Sequence, residues 1–197
     1  SIVNVENATG SRYGDEIKGS DEDNEIRGYD GDDKIYFSKG NDILMGEAHQ
    51  DTFIHEGTVI ENGIDRIDGG EGKEDKIDYS RINSSNYIIA DMTSSENLVI
   101  GKDINNVDIT EDYFKVLFYN TSDDLEVTNS KDNFIRVEEL YGTEGNDTLI
   151  GNNENNKLFG AKGNDIIKGT SGENTLKGGD GDDKIYFSKG NDILMGE

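Results

Sequence analysis

The chain has 197 residues, 31% of them hydrophobic, with 43 acidic against 19 basic side chains, a formal net charge of −24, 25 glycines and neither proline nor cysteine. Such acidity argues against nucleic acid and anionic membrane as partners. Without cysteine there is no disulfide framework and no thiolate metal site, and no apolar run reaches transmembrane length.

In chain order, Ile2–Thr9 (IVNVENAT) alternates weakly and predicts a short lead-in strand. It carries no signal-peptide pattern, so an export signal is expected outside this stretch. From Gly10 to Ile54 the sequence reads in units of nine: GSRYGDEIK, GSDEDNEIR, GYDGDDKIY, FSKGNDILM, GEAHQDTFI. The sixth position is Asp15, Asn24, Asp33, Asp42, Asp51, and the eighth is Ile17, Ile26, Ile35, Leu44, Phe53. Asp65–Ser80 reads as a bulged closing repeat: Gly69, Gly70 and Gly72 are present, but Glu74 stands where the acid is due and Asp75 follows it. Arg81–Leu140 has no repeat. Strand-like runs at 86–91, 97–101, 113–119 and 133–140, separated by Asn/Asp/Ser clusters, predict a β-rich insert or cap.

Gly142–Met195 then gives six further units in one phase: GTEGNDTLI, GNNENNKLF, GAKGNDIIK, GTSGENTLK, GGDGDDKIY, FSKGNDILM. Their sixth residues are Asp147, Asn156, Asp165, Asn174, Asp183, Asp192, and their eighth are Leu149, Leu158, Ile167, Leu176, Ile185, Leu194. The lead-in 2–19 aligns without gaps onto 134–151, and Asp30–Glu47 recurs identically at Asp180–Glu197. A tandem module is the simplest account, with the second block expected to be cut from a longer array.

An acid or amide at one position and a large aliphatic two residues later, repeated every nine, is the signature G-G-x-G-x-D-x-U-x. The x-U-x triplet predicts a short strand with U pointing inward. The first six residues predict a turn whose glycines allow positive φ and converging carbonyls. A core this thin does not offset chain entropy. Bound cations would, because they neutralise the charge and are held only by the folded loops. Hard cations such as Ca²⁺ take six to eight oxygens from carboxylates and carbonyls.

The repeats resemble those of the RTX (repeats-in-toxin) family, the hemolysin-type calcium-binding nonapeptide proteins. The resemblance implies an all-β fold: two parallel β-roll blocks, 1–80 and 142–197, separated by the β-rich insert 81–141. It also implies that two units make one coil, so that loops 18 residues apart stack and several calcium ions sit between them. One row of the second block is then Asp147, Asp165 and Asp183, with Gly145, Gly163 and Gly181 two residues earlier. The opposite row is Asn156, Asn174 and Asp192. In the first block the rows are Asp15, Asp33 (with Gly31) and Asp51 against Asn24 and Asp42. Gly179 joins the candidate ligands, while Asn24, Asp75, Asn156 and Asn174 are expected to be weaker. An amide brings one oxygen and no charge.

Several loops depart from the pattern. Phe37 and Phe187 replace the first glycine, each after a tyrosine, and are expected to broaden the core or cover an edge. Tyr13 and His49 replace the fourth-position glycine. His49 and His55 are the only histidines and form no H-E-x-x-H motif. No catalytic residue is expected. By resemblance the chain is a calcium-folded, non-enzymatic module of a secreted bacterial toxin or adhesin exported by type I machinery. The alternative is an adhesin module whose insert, 81–140, recognises a host surface or a protein partner while the rolls act as spacers.

Overall fold

The computed structural model describes residues 2–37, 39–56, 63–82, 85–102, 108–120, 125–187 and 189–196. Among them every regular element is a strand. In the first block these are β1 (Ile2–Val5), β2 (Asn7–Thr9), β3 (Glu16–Gly19), β4 (Glu25–Asp30), β5 (Lys34–Phe37), β6 (Ile43–Ala48), β7 (Thr52–His55), β8 (Ile64–Glu71) and β9 (Lys76–Asp78). The insert contributes β10 (Asn86–Lys102), β11 (Asp108–Asn120) and β12 (Leu125–Ile135). The second block has β13 (Glu139–Tyr141), β14 (Thr148–Ile150), β15 (Lys157–Lys162), β16 (Ile166–Lys168), β17 (Thr175–Asp180), β18 (Lys184–Tyr186) and β19 (Ile193–Met195).

Each nine-residue unit gives one strand, and successive units alternate between two sheets, so a coil takes two units. Parallel pairing in the first sheet runs β1-β3-β5-β7-β9-β13-β15-β17-β19. Register is set by the eighth-position side chain. Ile17, Ile35, Phe53, Ile77, Leu140, Leu158, Leu176 and Leu194 stand in one column of partners. The first seven of these are buried, each stabilising the roll by about 1.5–3 kcal/mol. A second column faces it: Ile26, Leu44, Ile67 and Phe134 on one side of the insert, Ala90, Leu149 and Ile167 on the other, all at 0% exposure. Flanking residues point outward, as the exposed-buried-exposed pattern of β16 shows. The period-two alternation of a half-buried strand thus fits inside every unit.

The sheets do not stop at the insert. β9 pairs directly with β13 through Ile77 and Leu140. In the second sheet β10, β11 and β12 form an antiparallel meander set between β14 and β8. β12 pairs in parallel with β8 over Lys131–Ile135, and β10 with β14 over Ile89–Asp91. Beneath the meander Tyr79 packs edge-on against Phe118, ring centres 5.6 Å apart, and His55 is enclosed by Phe37, Tyr79 and Phe118.

The insert's strands differ from the expected runs. The segments at 86–91 and 97–101 are one strand, because pairing with β11 is interrupted by an irregularity after Asp91 and resumes at Glu96. The run at 133–140 is broken at 136–138, where the chain turns from the second sheet into the first. Residues 83–84, 103–107 and 121–124 of the insert lie outside the described residues.

Two sequence identities acquire structural content. The lead-in copies sit half a turn apart: β2 belongs to the second sheet but its counterpart β13 to the first, and β3 belongs to the first but β14 to the second. The identical stretches 30–47 and 180–197 differ only in their neighbours. Phe37 and Leu44 are 2% and 0% exposed, whereas Phe187 and Leu194 are 71% and 45% exposed. Phe37 thus broadens the core, one of the two expected roles, while Phe187 stands on the last coil of the stretch. What buries a coil is the next coil.

Candidate metal centre

The turns between strands stack along two edges of the roll. A hydrogen-bond ladder fixes the stacking. The Asp15 N–H donates to Asp33 Oδ1 at 2.7 Å, Asp33 N–H to Asp51 Oδ1 at 3.0 Å, and Asp51 N–H to Asp75 Oδ1 at 2.8 Å. On the same edge beyond the insert, Asn156 N–H donates to Asn174 Oδ1 and Asn174 N–H to Asp192 Oδ1, both at 3.0 Å. The opposite edge carries Asn24 N–H to Asp42 Oδ1 at 2.9 Å and Asp42 N–H to Asp65 Oδ1 at 2.8 Å. There the second block continues with Asp147 N–H to Asp165 Oδ1 at 2.8 Å and Asp165 N–H to Asp183 Oδ1 at 2.9 Å. One side-chain oxygen of Asp33, Asp42, Asp51, Asp75, Asp165, Asn174, Asp183 and Asp192 is thus committed to the backbone of the preceding coil.

The other oxygen divides the loops into two kinds. In the closed kind a side-chain oxygen, Oδ2 of the aspartates and the single amide oxygen of the asparagines, accepts the N–H four residues back: Ser11 to Asp15 (2.6 Å), Ser20 to Asn24 (2.8 Å), Thr143 to Asp147 (2.6 Å), Asn152 to Asn156 (3.0 Å). In the open kind the second residue of the unit has a left-handed φ: Tyr29 before Asp33, Glu47 before Asp51, Gly70 before Asp75, Ala161 before Asp165, Gly179 before Asp183. That conformation turns the N–H away. Oδ2 of Asp33, Asp51, Asp75 and Asp165 is then buried without a hydrogen-bond partner. The fourth position is left-handed as well at Gly31, His49, Gly163 and Gly181. His49 holds this conformation without being glycine, its Nδ1 lying 3.0 Å from Asp30 Oδ1.

Each orphaned oxygen faces the first glycine of its own unit. A Cβ on Gly28, Gly46 or Gly160 would overlap Oδ2 of Asp33, Asp51 or Asp165 and would lie 2.8, 2.5 or 2.6 Å from the carbonyl oxygen of the next coil's first glycine. Carboxylate and carbonyl oxygens therefore border the same point, which glycine alone leaves open. Gly160→Ala is expected to remove several kcal/mol of stability and with it the calcium response. Urea melts at saturating calcium check this, and an unchanged midpoint would contradict the packing.

The electrostatics follow. Burial pushes the carboxyls of Asp33 and Asp75 up to about 6, those of Asp42, Asp51 and Asp165 to about 7, and that of Asp147 to about 8, the backbone N–H donors opposing the shift only in part. Asp65 is raised well above its ordinary value by burial and by its neighbours Asp132 and Asp42. A buried carboxylate without a counter-charge is costly. It must take a proton or a cation.

The donor set suits a hard cation. Among the described residues no cluster of three His, Asp or Glu side chains converges, so a bound ion would take most of its shell from carbonyls, as Ca²⁺ does and Zn²⁺ does not. The residues that would hold it in the repeats are Asp33, Asp51 and Asp165 with the carbonyls of the stacked glycines Gly46, Gly69 and Gly178. The family profile of the RTX calcium-binding nonapeptide repeat (4 copies) matches residues 9–54, 137–167 and 159–194, just over half of the chain. The chain belongs to this RTX family. No curated protein matches it. Among the described residues no helix is long and apolar enough to cross a membrane.

Not every candidate ligand of this RTX chain stands in an open loop. Both Asp147 oxygens are taken by protein donors, Thr143 N–H and Ile88 N–H at 2.7 Å, and Gly145 is not left-handed because its loop packs on the Asn86 carbonyl of the insert instead of on a repeat loop. Asn156 presents a buried Nδ2 without a partner, and an amide nitrogen does not bind a cation. Asn174 Nδ2 donates to the Ser171 carbonyl and to Asp192.

Three residues of the columns lie outside the eleven units: Asp65 and Asp132 stand off the nine-residue phase, and Glu138, nine residues before Asp147, extends it. Asp65 receives the Asp42 N–H, Asp132 lies beside Asp65 in register and accepts the Tyr79 hydroxyl at 2.5 Å, and Glu138 Oε2 accepts the N–H of both Glu74 and Asp75 at 3.1 Å. Each begins an acid-x-apolar triplet: Asp65-Arg66-Ile67, Asp132-Asn133-Phe134, Glu138-Glu139-Leu140. The triplet is the signal that finds them.

Proposed function

We propose that this chain is a non-enzymatic module that folds when it binds calcium, part of a bacterial toxin or adhesin that type I machinery exports unfolded. The observation that carries the reading is the set of buried, partnerless Oδ2 atoms of Asp33, Asp51, Asp75 and Asp165, each beside a carbonyl of the next coil. At the submicromolar calcium of a cytosol these oxygens repel and the chain stays unfolded and threadable. Outside the cell, calcium binds the folded loops alone, and each site adds about 2.7 kcal/mol when its ligand stands at 100 times its dissociation constant. His55 is enclosed by aromatic rings and His49 lies on a loop beside Asp30, which supports a role other than catalysis. Circular dichroism tests the switch. A β spectrum is expected in millimolar calcium and its loss in chelator, and a spectrum indifferent to chelator would refute the reading.

A second reading, recognition of a host surface or protein partner by the insert, is favoured by one observation. β10 and β11 pair with each other as far as Lys102 and Asp108, whereas only Ile89–Asp91 of β10 pairs with the roll. The rest of that ladder is not needed to join the blocks. Deletion of residues 96–113 from the whole chain separates the two readings: binding to cells is lost while calcium-driven folding is kept.

A further inference from the structure

We infer that a calcium ion fastens the insert to the first block of repeats, held between the loop Gly69–Asp75 and the turn Arg136–Glu138. This inference rests on the calcium reading above. Gly69, Asp75 and Arg136 all lie outside the residues the family profile matches, yet they reproduce the arrangement of the open loops. Asp75 is 1% exposed, its Oδ1 accepts the Asp51 N–H, and its Oδ2 has no partner. A Cβ built on Gly69 would overlap the Arg136 carbonyl oxygen and lie 2.8 Å from Asp75 Oδ2. At Gly46 and Gly160 the corresponding pair is the unit's own carboxylate and the carbonyl of the next coil's first glycine. Here the carbonyl comes from an arginine.

Arg136 is placed for this at a conformational cost. Its φ is +52°, a region that side chains with a Cβ avoid, and its guanidinium is tied to Asp68, Nε to Oδ1 at 2.7 Å. Two residues later Glu138 stands in for a sixth-position acid. Its Oε2 accepts the Asp75 N–H, and its carbonyl accepts the Lys157 N–H at 2.8 Å, as the Asp51 carbonyl accepts the Lys76 N–H at 2.9 Å. Three residues therefore make the contacts that a six-residue repeat loop makes elsewhere. As in the open loops of Asp33, Asp51 and Asp165, the carboxylate Oδ2 is left without a partner, and a cation between it and the Arg136 carbonyl supplies one. Such an ion joins the point where β12 leaves the second sheet to the loop that enters β9.

Crystals of the whole chain grown in calcium give the direct test. An anomalous peak is expected between Asp75 Oδ2 and the Arg136 carbonyl, beside those in the loops of Asp33, Asp51 and Asp165. Peaks in those loops without one here overturn this inference alone, whereas no peak anywhere overturns the calcium reading as well. In solution, Asp75→Asn keeps the acceptor for the Asp51 N–H but removes the charge. Calorimetric titration is expected to count one ion fewer, and amide exchange over Lys131–Val137 to quicken at least tenfold while Ile166–Lys168 is unchanged. An unchanged ion count, or unchanged exchange at the turn, overturns the inference.

Discussion

Asp165→Ala shifts the calcium midpoint of folding upward by at least roughly tenfold, the scale at which even residues supporting a metal site are felt, while Asn156→Ala leaves that midpoint within about twofold. The contrast comes from the second oxygen. Asp165 Oδ2 is buried, partnerless and beside the Gly178 carbonyl, so the alanine variant loses a ligand and a charge. It also strands the Asp147 N–H, adding about 1–3 kcal/mol of calcium-independent destabilisation. Asn156 uses its side-chain oxygen to close its own loop on Asn152 N–H. Its loss costs about 1 kcal/mol of stability at any calcium concentration. Titrations followed by circular dichroism separate the two effects, and equal shifts in midpoint would remove the distinction between open and closed loops.

Acid is expected to replace calcium in part. With chelator present, the folded roll gains stability as pH falls from 7.5 to 5, because Asp33, Asp42, Asp51, Asp75, Asp147 and Asp165 hold their protons up to about 6–8 when folded, against about 3.9 in the unfolded chain. The sign follows from proton binding. Below about pH 4 both states are protonated and no penalty exists. Between that value and the folded values the unfolded chain ionises first, so stability declines as pH rises, and above about 8 the penalty is complete. Calcium acts in the opposite sense, since its ligands must be ionised. Its stabilising increment therefore shrinks on acidification. Urea melts at pH 5, 6 and 7.5, with and without calcium, check both trends. A metal-free melt that is firmer at pH 7.5 than at pH 5 would contradict the burial of these carboxyls.

Much of this architecture can be read without coordinates. The eighth-position aliphatics name the inner column at Ile17, Ile35, Phe53, Leu158 and Leu176, because a period of nine with one obligatory apolar residue leaves a strand a single way to face the core, whereas Ile77 and Leu140, between the two blocks, complete it from outside the eleven units. The sixth-position residues likewise form the two edges. What the repeat does not state is which loops are open. Asp147 and Asp165 have similar local sequences, GTEGND and GAKGND, yet Thr143 closes the first and Ala161 opens the second. The deciding neighbour is the Asn86 carbonyl, which is far away in sequence. The passage of both sheets through the insert is hidden for the same reason. It depends on Asp132 and Arg136, whose spacing obeys the strands they join and not the count of nine, and on Glu138, which keeps the count but follows a stretch with no repeat. Phe37 and Phe187 teach the same lesson, since identical residues in identical local sequence are covered or bare according to the coil beside them.

The half-turn between the two lead-ins has a consequence for anything that approaches the roll sideways. Open loops occupy one flank before the insert, at Asp33, Asp51 and Asp75, and the other flank after it, at Asp165 and Asp183. Neither flank is an uninterrupted rail of ion sites. A straight ligand laid along either side would meet the open turns for only part of its course. A binder following the ions would have to cross over at the meander.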